Sequence, residues 1–254
     1  MCCISTSERF DKSYKVISNK ELCTGYFELK IKSDDVIKHC SPGQFFMIGI
    51  PGVFLRRPLS VHDVRKDTVS FLYKVAGKGT KILSEIQFGE LPFLGPLGNG
   101  YDLDAYKEAN HVVVAGGTGI ASVYFLASKL KKKGILYYGV RSEKDLMCLH
   151  KLKQIGWEVT VSTEDGSKGY KGHITDLLSE KLKESDVIFV CGPTPMLKKI
   201  LQIAKEKNVK GFVSLEEKMA CGVGNCQGCA VKIDGQIRMT CKDGPVFKIE
   251  QVEL

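Results

Sequence analysis

No apolar run of leader length occurs in the first twenty residues, MCCISTSERFDKSYKVISNK, and no stretch is long and apolar enough for a transmembrane helix. A cytoplasmic protein with no membrane partner is therefore expected. The five histidines, at 39, 62, 111, 150 and 173, form no H-x-x-x-H or similar pair, so each is expected to be structural. There is no G-x-S-x-G turn and no persuasive carboxylate pair, so hydrolytic chemistry has nothing to stand on. The formal charge of +8 comes largely from lysines on helix-like faces such as SKLKKKG and EKLKESD. No basic run is interleaved with aromatics, so these faces read as solvated and nucleic acid is not expected as a partner. Internal repeats and low-complexity tracts are also lacking.

What remains is 254 residues, 43% hydrophobic and 26% charged, enough for two domains with real cores. The first hundred residues alternate. GYFELKIKS sets Phe27, Leu29 and Ile31 on one side of a strand, GQFFMIGI is a short apolar run, and TVSFLYKVA aligns Val69, Phe71, Tyr73 and Val75. Short strands between Gly, Pro and Asp turns predict a small antiparallel β-barrel, which leaves few exposed edges. After a glycine-rich joint at Gly95 to Leu103 the pattern changes. HVVVAGG, GILYYGV, WEVTVST, SDVIFVCG and GFVSLEE read as strands. The segment after HVVVAGG has Ile120, Val123, Tyr124, Ala127 and Leu130 at helical spacing with Gly134 as its stop, and further helices are expected at Glu143–Gln154, Ile174–Lys183 and Pro195–Lys207. Strand and helix alternate as in an open parallel sheet. The fold class is thus α+β multidomain, with expected units 1–102, 103–215 and 216–254.

Cysteine, in contrast, is plentiful: ten in all, four of them in MACGVGNCQGCAVKIDGQIRMTC. A reducing compartment makes a disulfide framework unlikely to persist and points clustered cysteines to metal or redox work. Cys2, Cys3, Cys23, Cys40, Cys148 and Cys191 have no ligand-like spacing beyond the terminal pair and read as plain thiols. Cys221, Cys226, Cys229 and Cys241 form C-x4-C-x2-C-x11-C, whose first three reproduce the plant-type [2Fe–2S] spacing. Gly222, Gly224 and Gly228 would let the backbone curl and aim N–H groups at sulfide. Structural zinc is the alternative, although zinc sites more often use paired C-x2-C ligands.

Three weaker motifs precede the cysteines. RRPLSVHDV, Arg56 to Val64, puts an arginine beside a proline-stiffened strand and a serine two residues on, a phosphate contact and a hydroxyl for a ring, or simply a surface arginine. AGKGTKIL adds Gly77 and Gly79 with Thr80 as the expected helix N-cap, its free N–H groups facing an anion. VVVAGGTGIAS runs a strand into Gly116, Gly117, Thr118 and Gly119 at a helix start, a phosphate-binding geometry or a tight turn without a ligand. Ser122 replaces the last glycine of a dinucleotide fingerprint, and no acid follows until Glu143. VCGPTPM places Cys191, Gly192 and Pro193 at a later strand end, where open α/β sheets bind ligands.

The order of these motifs resembles the ferredoxin reductase-like flavoproteins. Over essentially the whole chain it looks most like their dihydroorotate dehydrogenase branch, the electron-transfer subunits of the NAD-dependent class 1B enzymes. The resemblance implies an FAD barrel, an NAD domain and a cluster module. It places FAD at Arg57-Pro58-Leu59-Ser60, Leu72-Tyr73-Lys74 and Gly79-Thr80, with Ser60 acting on the reactive face of the ring and Arg57 and Thr80 near the pyrophosphate. The nicotinamide loops correspond to GGTG and CGP, although GIAS lacks the proline often found after that turn. The four cysteines correspond to the cluster ligands. NADH moves two electrons at once and a [2Fe–2S] cluster takes one, so a flavin must stand between them. The implied partner is an FMN-containing catalytic subunit that oxidises dihydroorotate to orotate in pyrimidine biosynthesis, two copies of each chain assembling. The nearly uncharged Gly222–Gly228 loop is expected close to that interface. A subunit of a ferredoxin:NADP oxidoreductase or sulfide dehydrogenase is the near alternative, and a zinc-stabilised interaction module the distant one.

Overall fold

The computed structural model describes residues 9–254, so Cys2 and Cys3 lie outside the described residues. Strands β1 (Phe10–Cys23), β2 (Tyr26–Lys32), β3 (Phe45–Ile48), β4 (Arg57–Arg65), β5 (Thr68–Lys74) and β6 (Glu90–Leu97) close an antiparallel barrel in the order β1-β2-β5-β4-β3-β6. Alternation fills it. Leu29, Ile31, Phe46, Val61, Val69, Phe71 and Phe93 are wholly buried in one cluster, each such side chain contributing about 1.5–3 kcal/mol relative to exposure. Phe46 meets Phe71 edge-on at 5.5 Å. Helix α1 (Lys78–Glu85) lies between β5 and β6.

The strands β7 (Asn110–Gly116), β8 (Ile135–Val140), β9 (Glu158–Thr163), β10 (Tyr170–Lys171), β11 (Asp186–Cys191) and β12 (Lys210–Ser214) form a parallel sheet in the order β10-β9-β8-β7-β11-β12. Helices α2 (Ile120–Lys129), α3 (Leu149–Gln154), α4 (Ile174–Lys181) and α5 (Thr194–Glu206) connect them. Helix α2 is shorter than its periodicity predicts. Leu130 turns extended, at φ −61° and ψ 124°. The released end carbonyls find side-chain donors: Lys133 Nζ and Trp157 Nε1 each reach Ala127 O at 2.9 Å. Gly134 is not the stop. A Cβ there would stand 2.0 Å from the His111 carbonyl oxygen, so its smallness serves the approach to β7. The expected helix at Glu143–Gln154 is likewise divided, with a 3₁₀ turn at Glu143–Asp145 and Cys148 at φ 61° before α3.

At the C-terminal end, β13 (Ala230–Ile233), β14 (Gln236–Met239) and β16 (Val252–Glu253) form a small antiparallel sheet, with α6 (Thr240–Asp243) between β14 and β16. Between α6 and β16, β15 (Val246–Lys248) joins the large sheet, antiparallel to β12. The cysteine segment is thereby stitched to the nucleotide sheet. Asn99 ties it to the barrel's exit as well, its side-chain amide donating to the Lys242 and Asp243 carbonyls.

Barrel and sheet share a packed face. Tyr26 and Leu72 point out of the barrel into the cluster around α2, while Phe125 of α2 is buried in the barrel's own cluster. Among the described residues no helix is long and apolar enough to cross a membrane.

Candidate active site and metal centre

Strand β4 opens with Arg57-Pro58-Leu59-Ser60. The Arg57 guanidinium lies against the first turn of α1, where a Cβ on Gly79 would stand 2.7 Å from Arg57 Nε. Residue 79 must therefore lack a side chain for the arginine to sit there. Thr80 is not the N-cap. Gly77 holds that position, and Thr80, three residues into the helix, accepts N–H bonds from Ala76 at 2.9 Å and Gly77 at 3.2 Å on its hydroxyl. The arginine and the helix start place positive charge and positive dipole together, a cradle suited to phosphate.

Beside it, a cavity of about 340 Å³ is lined by Pro58, Leu59, Ser60, Leu72, Tyr73 and Lys74. Arg57, Gly79 and Thr80 do not line it, but Ala76, bonded to Thr80, does. Phe45, Thr118, Ala121, Ser214, Glu216 and Met219 are among the residues of its remaining wall. The volume and mixed apolar and polar lining fit a bound ring cofactor.

A second cavity, about 580 Å³, opens at the C-terminal ends of β7, β8 and β9, lined by Gly116, Gly117, Thr118 and Pro193. Gly119, Cys191 and Gly192 do not line it; they form the packed wall behind. A Cβ on Gly119 would stand 2.2 Å from the Cys191 carbonyl oxygen, and one on Gly192 2.3 Å from Met196 Cε. These glycines let the two loops press together. Arg141, His173 and Lys199, none singled out by the sequence motifs, also line it, Lys199 donating to Asp176 Oδ1 at 2.6 Å.

Lys74, Thr118 and Glu216 line both cavities. Glu216 escaped the sequence reading. It follows β12 and receives the Cys191 thiol at 3.8 Å. Burial raises both the Glu216 carboxyl and the Cys191 thiol above their ordinary ranges. Both acids of SLEE line the flavin-sized cavity, but only Glu216 lines the second one as well, a difference that no pattern in the segment marks.

The four cysteines occupy one module. Cys229 and Cys241 are buried, Cys221 is half-buried and Cys226 is exposed. Gly224 N–H points to Cys241 Sγ at 3.1 Å, those of Val223 and Cys226 to Cys221 Sγ at 3.4 Å, and that of Cys241 to Cys229 Sγ at 3.4 Å. Gly222 and Gly224, at φ 73° and 87°, make that curl possible. Desolvation pushes the Cys221 thiol up, but donors from Val223, Cys226 and Asn225 outweigh it and bring it to about 6. Burial and neighbouring Cys229 push Cys241 to about 12. Among the described residues no three His, Cys, Asp or Glu side chains converge on a single ion. The donor set, all thiols with N–H groups aimed at sulfur, suits a cluster whose two irons divide the ligands between them.

The cluster module reaches the flavin-sized cavity directly. Phe45 and Met219 line that cavity and pack in the small apolar cluster containing Cys229 and Cys241.

Residues 216–253 match the family described as the iron-sulfur cluster binding domain of dihydroorotate dehydrogenase B, and 113–202 match the oxidoreductase NAD-binding domain. The chain is 39% identical over 250 residues to the dihydroorotate dehydrogenase B (NAD(+)) electron transfer subunit of Caldanaerobacter subterraneus subsp. tengcongensis, covering 96% of this chain and 99% of that one. The protein of the same description in Clostridium perfringens is 39% identical over 246 residues, covering 94% and 96%. A solved structure of NADH-dependent reduced ferredoxin-NADP oxidoreductase aligns with a TM-score of 0.85 at 32% identity, over 94% of this chain and 89% of its own. Fold, cavities and cysteine module define an NAD-linked oxidoreductase component of ferredoxin-reductase type, with FAD and an iron–sulfur cluster as its cofactors. The chain belongs to the family of dihydroorotate dehydrogenase B (NAD(+)) electron transfer subunits. Membership settles the choice between iron–sulfur and zinc that spacing had left open.

Proposed function

We propose that the chain carries electrons between a catalytic subunit that oxidises dihydroorotate and NAD, and that the two cavities and the cysteine module are the successive stations. The observation that carries this reading is their contiguity: three residues shared between the cavities, then Phe45 and Met219 between the flavin cavity and the buried cysteines. When bound, FAD supplies the exchange between two-electron hydride chemistry and one-electron transfer.

The residues divide the work. Arg57 and the first turn of α1, with Gly79 and Thr80, hold the FAD pyrophosphate. Pro58, Leu59, Leu72, Tyr73 and Lys74 shape the ring's cavity, and Ser60 presents its hydroxyl there as the catalytic residue. Gly116, Gly117, Thr118 and Gly119, backed by Cys191, Gly192 and Pro193, take NAD. Cys221, Cys226, Cys229 and Cys241 ligate a [2Fe–2S] cluster. Asn225 to Gly228 are exposed, which suits electron exit toward the partner. Functional boundaries at 102/103 and 215/216 follow from this division, although β15 makes the last module part of the sheet. The partner is assigned an FMN and two copies of each chain, in the cytoplasm.

The 32% identity to the reduced ferredoxin-NADP oxidoreductase structure favours a second reading, the same relay serving another catalytic subunit. Co-purification with the dihydroorotate-oxidising subunit, followed by an assay of orotate formation coupled to NAD reduction, separates them. A stable complex with coupled turnover is expected. Binding neither that subunit nor its electrons would overturn the first reading.

A further inference from the structure

Strand β4 carries the flavin motif and then breaks register. Val61 pairs with Phe71 and Asp63 with Ser70, so β4 spends one extra residue, His62, on a bulge. Bulges re-aim side chains. Val61 enters the barrel core, whereas His62 turns outward against α2, where no part of it is exposed.

There its Nδ1 lies 3.2 Å from the Ala121 carbonyl oxygen. A carbonyl only accepts, so the ring carries its proton on Nδ1. Nε2 is left to accept from the Cys148 thiol, at 3.6 Å. Burial lowers His62 to about 4 and raises Cys148 to about 11, which makes this a neutral imidazole and thiol and not an ion pair. The ring stacks on Tyr124 at 4.6 Å, and Tyr124 in turn takes a bond from Arg65 of the same strand at 3.2 Å.

The position of this contact matters more than its strength. Two residues before His62 stands Ser60, in the flavin cavity; three before Ala121 stands Thr118, in both cavities. The bond therefore joins the flavin strand to the nicotinamide turn by a short covalent path on each side. We propose that His62 is a positioning residue for hydride transfer, holding the first turn of α2, and with it the Gly117–Gly119 turn, at a set distance from Ser60. The inference rests on the assignment of the two cavities above. Reacting atoms must approach to ~3–3.5 Å, and a ~1 Å misplacement costs on the order of 100-fold in rate.

The holoprotein with His62→Phe, which keeps a stacking ring and loses the donor, is the test. FAD content and the NADH dissociation constant should stay near wild type. The limiting rate of flavin reduction by NADH should fall at least ~tenfold, and amide exchange of residues 117–124 should quicken. His62→Asn, which restores a donor near Nδ1, should recover most of the rate. Wild-type reduction in the Phe variant, or equal loss in Phe and Asn, would overturn the proposal. Nitrogen-15 spectra of the wild-type imidazole give a reading that needs no variant to fold: a neutral ring protonated at Nδ1 is expected, and protonation at Nε2 alone would overturn it. A wild-type protein that binds FAD but is not reduced by NADH would instead sink the assignment of the cavities.

Discussion

The two ends of the relay are built in opposite ways. The cysteine module draws its four thiols and most of its N–H donors from residues 221–241, so a short segment defines its own site. The junction of the cavities takes Lys74 from β5, Thr118 from the turn before α2 and Glu216 from beyond β12, with Ser60 of β4 on the flavin side alone. A local site depends on its loop, whereas an assembled one depends on how barrel and sheet are packed. Substitutions in the first should therefore delete one station and spare the others, and disturbance of the shared face should reach the junction.

The largest effect expected is at Cys226. Replacing it by alanine should remove the iron absorption while FAD stays bound, read from the visible spectrum and flavin content of the same sample. Loss of both would show that β15 and Asn99 couple the module to the flavin site more tightly than the comparison allows.

Acid should act on the other end. The His62 pKa of about 4 lies below its ordinary 6.5, so the unfolded chain takes up a proton first as pH falls. Stability is full above about 6.5 and drains until about 4, by roughly 3 kcal/mol in all. The charged groups facing the ring are Glu28 on β2, Asp63 on β4 and Lys151 on α3, with Cys148 and Tyr124 beside it. Despite its burial, Glu28 is held below the usual carboxylate range by Lys30 and Lys151. Denaturant midpoints measured between pH 7 and 4.5 should fall in the wild type and fall less in His62→Phe. Parallel curves would exclude His62 as the source.

Arg57→Ala comes next. Removing a charge-assisted contact should weaken FAD retention by about 1.5–3 kcal/mol. Full flavin occupancy after dilution to nanomolar protein would contradict the cradle. The smallest effect belongs to Ser60→Ala, which should keep the flavin and slow its reduction by NADH about tenfold, the size of one neutral hydrogen bond. An unchanged stopped-flow rate would remove Ser60 from the chemistry.

How much of this could be read from the chain follows the same division. C-x4-C-x2-C is a contiguous spacing, and the barrel strands and the GGTG turn are local periodicities, so all were legible in advance. Glu216 and His62 were not, since the sequence shows only two adjacent glutamates and a lone histidine. Glu216 owes its place to the meeting of the two cavities beyond β12, and His62 to its burial and to a bulge that shifts β4 by one residue, a pairing between strands that no single segment encodes. The end of α2 was misplaced for a related reason: Lys133 and Trp157, remote from the helical stripe, supply the donors that let it stop at Lys129.

The most direct test of the relay uses the Cys226→Ala chain assembled with the catalytic subunit. Dihydroorotate-dependent NAD reduction and NADH-dependent reduction of an artificial dye would be measured side by side. If the stations lie in the proposed order, dye reduction through FAD survives and dihydroorotate-linked NAD reduction is lost. Retention of the linked activity without iron would mean that electrons reach the flavin by a route that bypasses the cysteine module.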